Sequence, residues 1–234
     1  MRPDMSDKKR LGILGGLGPA ASALFYGMIT DKTKASSDGE HIDVVLTSFA
    51  STPDRTAYLL GRSGESPLGK MIEARDILVS AGAEVIAVPC NTATVFFREL
   101  QKGTTVPILN IIDETVAAAK RAGAQKVGIM ATEGTIGSGA YQDALKAAGL
   151  SYAVPDEDGI KTLMKLIYGD IKSGKPADMD AFYSVAESLR EKGCDMMVLG
   201  CTELSLLPFP KEGFTDSTTA LAESSIIACG YSLK

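Results

Sequence analysis

The sequence predicts an α/β protein built from two similar Rossmann-like halves, each a parallel sheet covered by helices. Three observations predict it: short β-rich runs alternate with longer helical patterns, part of the sequence repeats itself, and each half carries a cysteine after a late strand. With 234 residues, 45% of them hydrophobic, the chain can bury a substantial core in one or two domains.

The alternation of elements indicates parallel sheets. Segments between the apolar runs carry helical spacing, as Leu163, Leu166, Ile167 and Ile171 do. Strands that alternate with helices typically form parallel sheets with helical layers on their faces. The runs that we expect to be strands are residues 11–14, 44–49, 85–88, 108–109, 127–130 and 196–199.

Two groups of residues recur in the second half of the chain, each at a constant offset, and this repetition predicts a duplication. The first group surrounds a Gly-rich turn and the second ends on a cysteine. The carboxyl ends of strands, where both features fall, are where open α/β sheets bind ligands. The matched sets are Gly12, Ile13, Gly18 and Ser22 with Gly128, Ile129, Gly134 and Ser138, and Leu78, Gly82, Glu84 and Cys90 with Leu189, Gly193, Asp195 and Cys201.

The duplication suggests a domain organisation. We expect residues 1–108 together with 211–234 to form the first domain and residues 109–210 the second, related by a pseudo-twofold axis with the active site in the cleft between them. The closing segment should be a helix that returns to the first half, with Asp216 or Ser217 as its N-cap.

Charge and hydropathy exclude several partners. The net charge of −5 and the absence of a dense basic run give no electrostatic basis for binding nucleic acid or an anionic membrane surface. No apolar run approaches the roughly 20 residues of a transmembrane helix. Lys8, Lys9 and Arg10 before an apolar stretch resemble a secretory signal, but the glycines that follow disfavour its short helix. We therefore expect a cytoplasmic protein with a small-molecule ligand.

Cysteine and histidine content narrows the chemistry. Four cysteines without C-x-x-C spacing predict reduced thiols rather than a disulfide scaffold or a metal site. Cys194 leads into a strand and Cys229 lies in an apolar helix, so both should be buried core residues. The single histidine, His41, lies in a polar stretch before a strand and is expected to be a loop residue rather than a catalytic base.

The two remaining cysteines, Cys90 and Cys201, are the candidate catalytic pair. Each follows a strand and should precede a helix, whose N-terminus favours thiolate and binds carboxylate. If the halves face each other, the two sulfurs approach one molecule from opposite sides. One thiolate can then remove a proton from carbon while the opposite thiol delivers one to the other face, without a metal or a cofactor. The alternative is that both are small buried core residues.

Polar residues near these cysteines can stabilise the charge that develops on such a carbon. They can also be plain helix caps. The candidates for substrate binding from these stretches are Asn91, Thr92, Thr132, Thr135, Thr202, Glu203 and Gly16 of the first Gly-rich turn.

A dinucleotide or phosphate loop is a weaker interpretation of the Gly-rich opening. Gly12, Gly15 and Gly18 do not match G-x-G-x-x-G, and no Gly-Lys-Ser/Thr follows. Tight binding of NAD or ATP would revive it.

Several motifs together resemble the aspartate/glutamate racemase family over nearly the whole chain. The resemblance implies an amino-acid racemase, independent of pyridoxal phosphate, with two cysteine bases and two α/β domains, often dimeric. The motifs are Gly12-Ile13-Leu14-Gly15-Gly16-Leu17-Gly18-Pro19, Pro53-Asp54-Arg55-Thr56, Pro89-Cys90-Asn91-Thr92-Ala93, Ala131-Thr132-Glu133-Gly134-Thr135, Gly200-Cys201-Thr202-Glu203, and the stretch from Ile167-Tyr168 to Lys172-Ser173-Gly174.

The resemblance also assigns roles. Cys90 and Cys201 match the catalytic pair, and Asn91, Thr92, Thr132 and Thr202 match positions that hold the α-carboxylate or amino group. Arg55 matches a residue that binds the side-chain carboxylate in aspartate-specific members, a task to which its bidentate guanidinium is suited. Lys165 matches a lysine with the same task, with Lys161 as its alternative. Thr94 stands where many relatives carry a histidine.

Other functions stay open at this point. The substrate could be glutamate rather than aspartate, and the wider superfamily includes maleate isomerase and arylmalonate decarboxylase types. The decarboxylases rely on one cysteine, so the pair disfavours them. A catalytically idle relative that senses amino acids is a third possibility.

Overall fold

The computed structural model describes residues 8–234, so the first seven residues of the expected N-terminal domain lie outside it. The chain forms two sheets of four parallel strands each. The strands are β1 Leu11–Gly15, β2 Val44–Ser48, β3 Val85–Ala87, β4 Ile108–Leu109, β5 Lys126–Ala131, β6 Ser151–Ala153, β7 Met196–Gly200 and β8 Phe214–Asp216. Their orders, β2-β1-β3-β4 and β6-β5-β7-β8, are equivalent, so the predicted fold class is confirmed.

Helices connect the strands and cover both sheets. The α-helices are α1 Pro19–Lys32, α2 Arg55–Leu59, α3 Leu68–Ser80, α4 Phe97–Lys102, α5 Ile111–Arg121, α6 Glu133–Ser138, α7 Ala140–Ala147, α8 Glu157–Met164, α9 Met179–Glu191 and α10 Ser217–Ala228. Short 3₁₀ turns lie at Asp38–Glu40, Thr92–Phe96, Ile171–Ser173 and Leu204–Leu206, and α8 continues into a π-helix over Lys165–Asp170.

Matching contacts in the two halves explain the sequence repeat. Gly12 of β1 faces the Leu78 side chain of α3, and Gly128 of β5 faces Leu189 of α9, so close that an added Cβ would lie 3.4 and 3.0 Å from the respective leucine Cβ atoms. Glycine at these places lets the helix approach its strand.

The acidic members of the repeat also match. The carboxylate of Glu84 accepts a hydrogen bond from the Arg10 backbone N–H at 3.0 Å, and that of Asp195 accepts one from Gln125 at 3.0 Å. In each half this hydrogen bond connects the loop before the third strand, β3 or β7, to the residue before the first strand, β1 or β5.

The expected domain division differs from the sheet pairing at the C-terminus. Strand β8 pairs with β7, so residues 214–216 belong to the second sheet rather than to the first half. Helix α10 and the residues after it make the expected return: α10 packs against α1 as well as α5, and Leu233 forms a β-bridge with Thr33. Asp216 is its N-cap, accepting from the Thr219 backbone N–H at 3.0 Å. The last segment therefore bridges the halves.

The buried hydrophobic side chains form three clusters. One cluster, with Leu11 and Phe25 from the first half and Val127 and Ile129 from the second, is shared by both halves. A separate cluster fills the outer face of each sheet. Among residues 8–234 no helix is long and apolar enough to cross a membrane.

Candidate active site

A small cavity between the two halves contains both candidate cysteines. Its accessible space is about 10 Å³, room for roughly one water molecule. Cys90 is 9% exposed and Cys201 is 6% exposed. The lining residues come from both halves: Leu17, Asp54, Arg55, Thr56, Cys90, Asn91, Thr92, Thr132, Tyr168, Lys172, Cys201, Thr202 and Glu203.

The strand ends position the two sulfurs, but the helices that follow are shorter than expected. Cys90 comes three residues after β3, and the 3₁₀ helix Thr92–Phe96 follows it. Cys201 directly follows β7, and only the single 3₁₀ turn Leu204–Leu206 comes next. A full α-helical dipole therefore points at neither sulfur, and neighbouring side chains supply the local charge instead.

Cys201 lies against a carboxylate. Its Sγ donates to Oε2 of Glu203 at 3.0 Å. Burial, together with the negative charge of Glu203, raises the pKa of Cys201 well above that of an ordinary thiol, although Lys172 opposes the shift. Cys201 is therefore a neutral thiol at physiological pH.

Cys90 lies against a cation. Burial opposes the charge on Arg55, but the neighbouring Cys90 and Asp54 outweigh burial, and the pKa of Arg55 is raised above its ordinary value. The two sulfurs thus have neighbours of opposite charge, a guanidinium at Cys90 and a carboxylate at Cys201.

Backbone carbonyls fix the Arg55 guanidinium at the start of α2. Its Nη1 donates to the carbonyl oxygens of Pro53 at 3.0 Å and Thr52 at 3.3 Å, and its Nη2 donates to that of Leu17. Asp54 caps α2 by accepting from the Ala57 backbone N–H at 2.8 Å. The Nε–H of Arg55 is buried and has no hydrogen-bond partner among residues 8–234, so this donor is available to a ligand.

Four threonine hydroxyls join the halves beside the cysteines. Thr92 and Thr135 are 2.8 Å apart, Thr132 is 3.2 and 3.0 Å from them, and Thr56 donates to Thr132 at 3.3 Å. Thr132 is also the N-cap of α6, where it accepts from the Thr135 backbone N–H. Thr132 therefore caps a helix and lines the cavity at the same time.

Asn91 and Thr202 are held in place by residues outside the cavity. Asn91 accepts from the Tyr141 hydroxyl at 2.6 Å and donates to the Ser217 hydroxyl at 2.9 Å. Thr202 donates to the carbonyl oxygen of Pro89 at 3.4 Å, which links the two cysteine motifs. Such contacts fix the side chains before any ligand binds.

A lysine other than the predicted one lines the cavity. Lys165 has a side chain that is 66% exposed and pairs with Asp170 at 3.7 Å, away from the cavity. Lys161 is 65% exposed and pairs with Glu157 and Asp158. Lys172 lines the cavity instead, with Nζ 3.8 Å from both Asp54 and Glu203.

Lys172 is charged where it lies. Burial opposes its charge, but Glu203 and the other negative groups nearby outweigh burial and raise the pKa of Lys172. Its Nζ also lies 4.1 Å from the ring centroid of Tyr168, whose hydroxyl donates to Asp54 at 3.0 Å. The sequence signal that could have indicated Lys172 is its place four residues after Tyr168 in one of the resembling motifs.

A larger cleft of about 490 Å³ adjoins the cavity and opens to solvent. It shares Leu17, Asp54, Arg55, Lys172 and Glu203 with the cavity, so mostly charged side chains separate the two spaces. Gly16 lines this outer cleft rather than the cavity.

The other candidates lie elsewhere. Cys194 and Cys229 are buried, at 5% and 0% exposure. His41 lies just before β2, near Tyr26 and remote from the cavity lining. Thr94 lines a separate small cavity that also touches Cys90.

Comparisons with known proteins identify the relatives of this chain. The family model described as Asp/Glu/Hydantoin racemase matches residues 14–224. The chain is 29% identical over 228 residues to the broad specificity amino-acid racemase RacX of Bacillus subtilis, covering 92% of this chain and 96% of that one. It is 30% identical to the glutamate racemase of Corynebacterium glutamicum over 71% of this chain and 64% of the relative.

A solved structure is similar over almost the full length. The aspartate racemase of Picrophilus torridus superposes with a TM-score of 0.83 at 30% identity, covering 97% of this chain and 96% of that structure.

Proposed function

The chain belongs to the Asp/Glu/hydantoin racemase family, and from this premise we propose that it interconverts L- and D-aspartate without a cofactor, by a two-cysteine proton transfer at the α-carbon. The observation that carries the proposal is that Cys90 and Cys201, at duplicated positions of the two halves, line one cavity. The family membership makes the chain an amino-acid racemase, and the substrate and the two-base mechanism are our proposal.

In the proposed reaction the cysteines work on opposite faces of the substrate. Cys90, beside Arg55, takes the α-proton as a thiolate. Cys201, a neutral thiol against Glu203, delivers its proton to the other face. The reverse reaction begins with the opposite protonation states.

Donors around the cavity suit a dicarboxylic amino acid. The hydroxyls of Thr92, Thr132 and Thr202 and the amide of Asn91 would hold the α-carboxylate and amino group. The free Nε–H of Arg55 and the ammonium of Lys172 would bind the side-chain carboxylate. We thus assign Lys172 the task that the resemblance gave to Lys165.

A panel of D- and L-amino acids in heavy water tests the proposal. We expect deuterium at the α-carbon and loss of optical rotation with both enantiomers of aspartate, more slowly with glutamate. Faster exchange with glutamate or with apolar amino acids would transfer the assignment to that substrate. Binding of aspartate without exchange of either enantiomer would indicate an amino-acid sensor and refute catalysis, while a cysteine adduct with maleate would indicate an isomerase.

Two further expectations belong to this proposal. Four free thiols, all buried, suit the reducing cytoplasm. The resemblance favours a homodimer, and light scattering with size-exclusion chromatography distinguishes it from a monomer.

A further inference from the structure

We propose that Glu203 relays the proton of Cys201 to and from solvent, acting on the reaction through Cys201 rather than on the substrate. The inference rests on the proposed two-cysteine reaction and deepens it. The Glu203 carboxylate connects the inner cavity with the outer cleft, and its two oxygens have different neighbours.

One oxygen faces the thiol. Oε2 accepts from Sγ of Cys201 at 3.0 Å and lies 3.4 Å from the hydroxyl of Thr202. With 6% exposure, Glu203 is as buried as Cys201 itself. A buried carboxylate in hydrogen-bond contact with a thiol can exchange a proton with it directly.

The other oxygen faces the outer cleft. Oε1 lies 3.8 Å from Nζ of Lys172 and next to Gly18, both in the lining of the outer cleft. A Cβ at position 18 would collide with Oε1. Glycine there leaves space for the carboxylate between thiol and cleft.

The reaction needs such a step. After one turnover Cys90 has gained the α-proton and Cys201 has lost its proton, so the enzyme cannot repeat the same reaction. Glu203 in its acid form gives a proton to the Cys201 thiolate, and water in the outer cleft then reprotonates the carboxylate. In the reverse sense Glu203 takes the proton of the Cys201 thiol and passes it to water. In the same reset Cys90 releases the α-proton to water, so both sulfurs return to their starting states and only S–H and O–H bonds form or break.

A crossover experiment follows the fate of this proton. α-Deuterated aspartate of one enantiomer is mixed with ¹³C-labelled, undeuterated aspartate of the other in ordinary water, and mass spectrometry counts molecules that carry both labels. In the parent protein the relay exchanges deuterium from Cys201 with water between substrates, so doubly labelled product stays at trace level.

For Glu203→Gln we expect that exchange to slow by on the order of 10²-fold. Doubly labelled aspartate should then become a major product for one deuterated enantiomer only, the one whose proton Cys201 removes. Glu203→Asp, which keeps a carboxylate, should restore part of the exchange. The matched control is Glu187→Gln, which changes an exposed glutamate paired with Arg190 and should behave like the parent.

Two further measurements keep the relay testable. Gly18→Ala displaces the carboxylate without removing it and should also raise crossover. Parent-level crossover in an active Glu203→Gln or Gly18→Ala variant overturns the relay. A second readout needs no turnover. In a Cys90→Ala background, alkylation of Cys201 by iodoacetamide should shift to lower pH when Glu203 becomes Gln, and an unchanged pH profile contradicts the contact. If the parent shows neither racemisation nor exchange, the proposed function fails instead.

Discussion

At the scale of single residues, the opposite charges beside the two sulfurs give them different starting roles. Arg55 adjoins Cys90, whereas Glu203 accepts a hydrogen bond from the Cys201 thiol. Each thiol should therefore serve one enantiomer as base and the other as acid.

Replacing one cysteine tests this division. We expect Cys90→Ala and Cys201→Ala each to reduce racemisation by on the order of 10²- to 10⁴-fold, because one face of the carbon loses its proton donor or acceptor. Each variant should keep solvent exchange with one enantiomer, and the two variants with opposite enantiomers. Deuterium incorporation at the α-carbon measures this exchange for each enantiomer. Exchange of both enantiomers by either variant contradicts the two-base arrangement.

The cation of the cavity provides a second test at this scale. Lys172→Met should raise KM for aspartate by roughly ten-fold, since a charge-assisted hydrogen bond contributes about 1.5–3 kcal/mol. Steady-state kinetics with both enantiomers measures the change. Lys165→Met is the matched control, because Lys165 is exposed and outside the cavity lining. A larger effect of Lys165→Met would return the role to that residue.

Individual residues were predicted unevenly. Cys90, Cys201 and Arg55 follow strands or lie in distinctive motifs, so local sequence was enough to bring them to one site. Lys172 could not be distinguished from Lys165 by spacing. Seven residues make almost two turns of α-helix, so an ordinary helix would place both lysines on the same face. The π-helix Lys165–Asp170 breaks that register, and a single sequence carries no clear signal for a wide turn.

At the scale of elements, the contact between a strand glycine and a helix leucine holds each half together. Gly128→Ala would bring Cβ within 3.0 Å of Leu189 in β5 and α9. We expect a loss of about 1–3 kcal/mol in the free energy of unfolding, the usual cost of overpacking a filled core. Urea denaturation measures it.

A glycine without such a contact is the control. Gly69 in α3 has nothing near its would-be Cβ, so Gly69→Ala should be neutral or stabilise by about 0.5–1 kcal/mol. Equal losses of unfolding free energy in Gly128→Ala and Gly69→Ala would mean that the close approach of β5 to Leu189 does not explain the destabilisation.

Element prediction missed two short edge strands. Ser151–Ala153 and Phe214–Asp216 have three residues each and include polar ones, so neither an apolar run nor an alternation stands out, whereas the equally short β3 and β4 are wholly apolar. Both pair at the edges of the second sheet, where tertiary contacts decide the structure. The longer helices and central strands were predictable because their periodicity extends over more residues.

At the scale of the whole molecule, buried thiols make folding sensitive to alkaline pH. Burial raises the pKa of Cys229 to about 11, although Lys9 opposes the shift. Between pH 9 and 11 the unfolded chain ionises while the folded thiol stays neutral, so stability falls as pH rises. The slope is at most about 1.4 kcal/mol per pH unit for each such thiol.

The pH dependence can be assigned with one variant. Cys229→Ala should flatten the decline of unfolding free energy between pH 9 and 11, measured by urea titration at each pH. At pH 7, where the thiol is neutral in both states, the difference in unfolding free energy between Cys229→Ala and the parent gives the packing cost alone. A decline as steep as that of the parent would mean that other groups, such as Cys201, account for it.

The wide helical turn over Lys165–Asp170 has a wider consequence for how such sites diversify. A π-helical turn holds one residue more than an α-helical turn for the same rotation about the helix axis. If the same residues formed ordinary α-helix, everything beyond them would rotate by about 100°, Lys172 would leave the cavity, and Asp54 and Glu203 would lose their shared counter-charge. Deleting one residue at this turn, in contrast, leaves the segment beyond it in place, so chain length can change here while the wall of the cavity is kept.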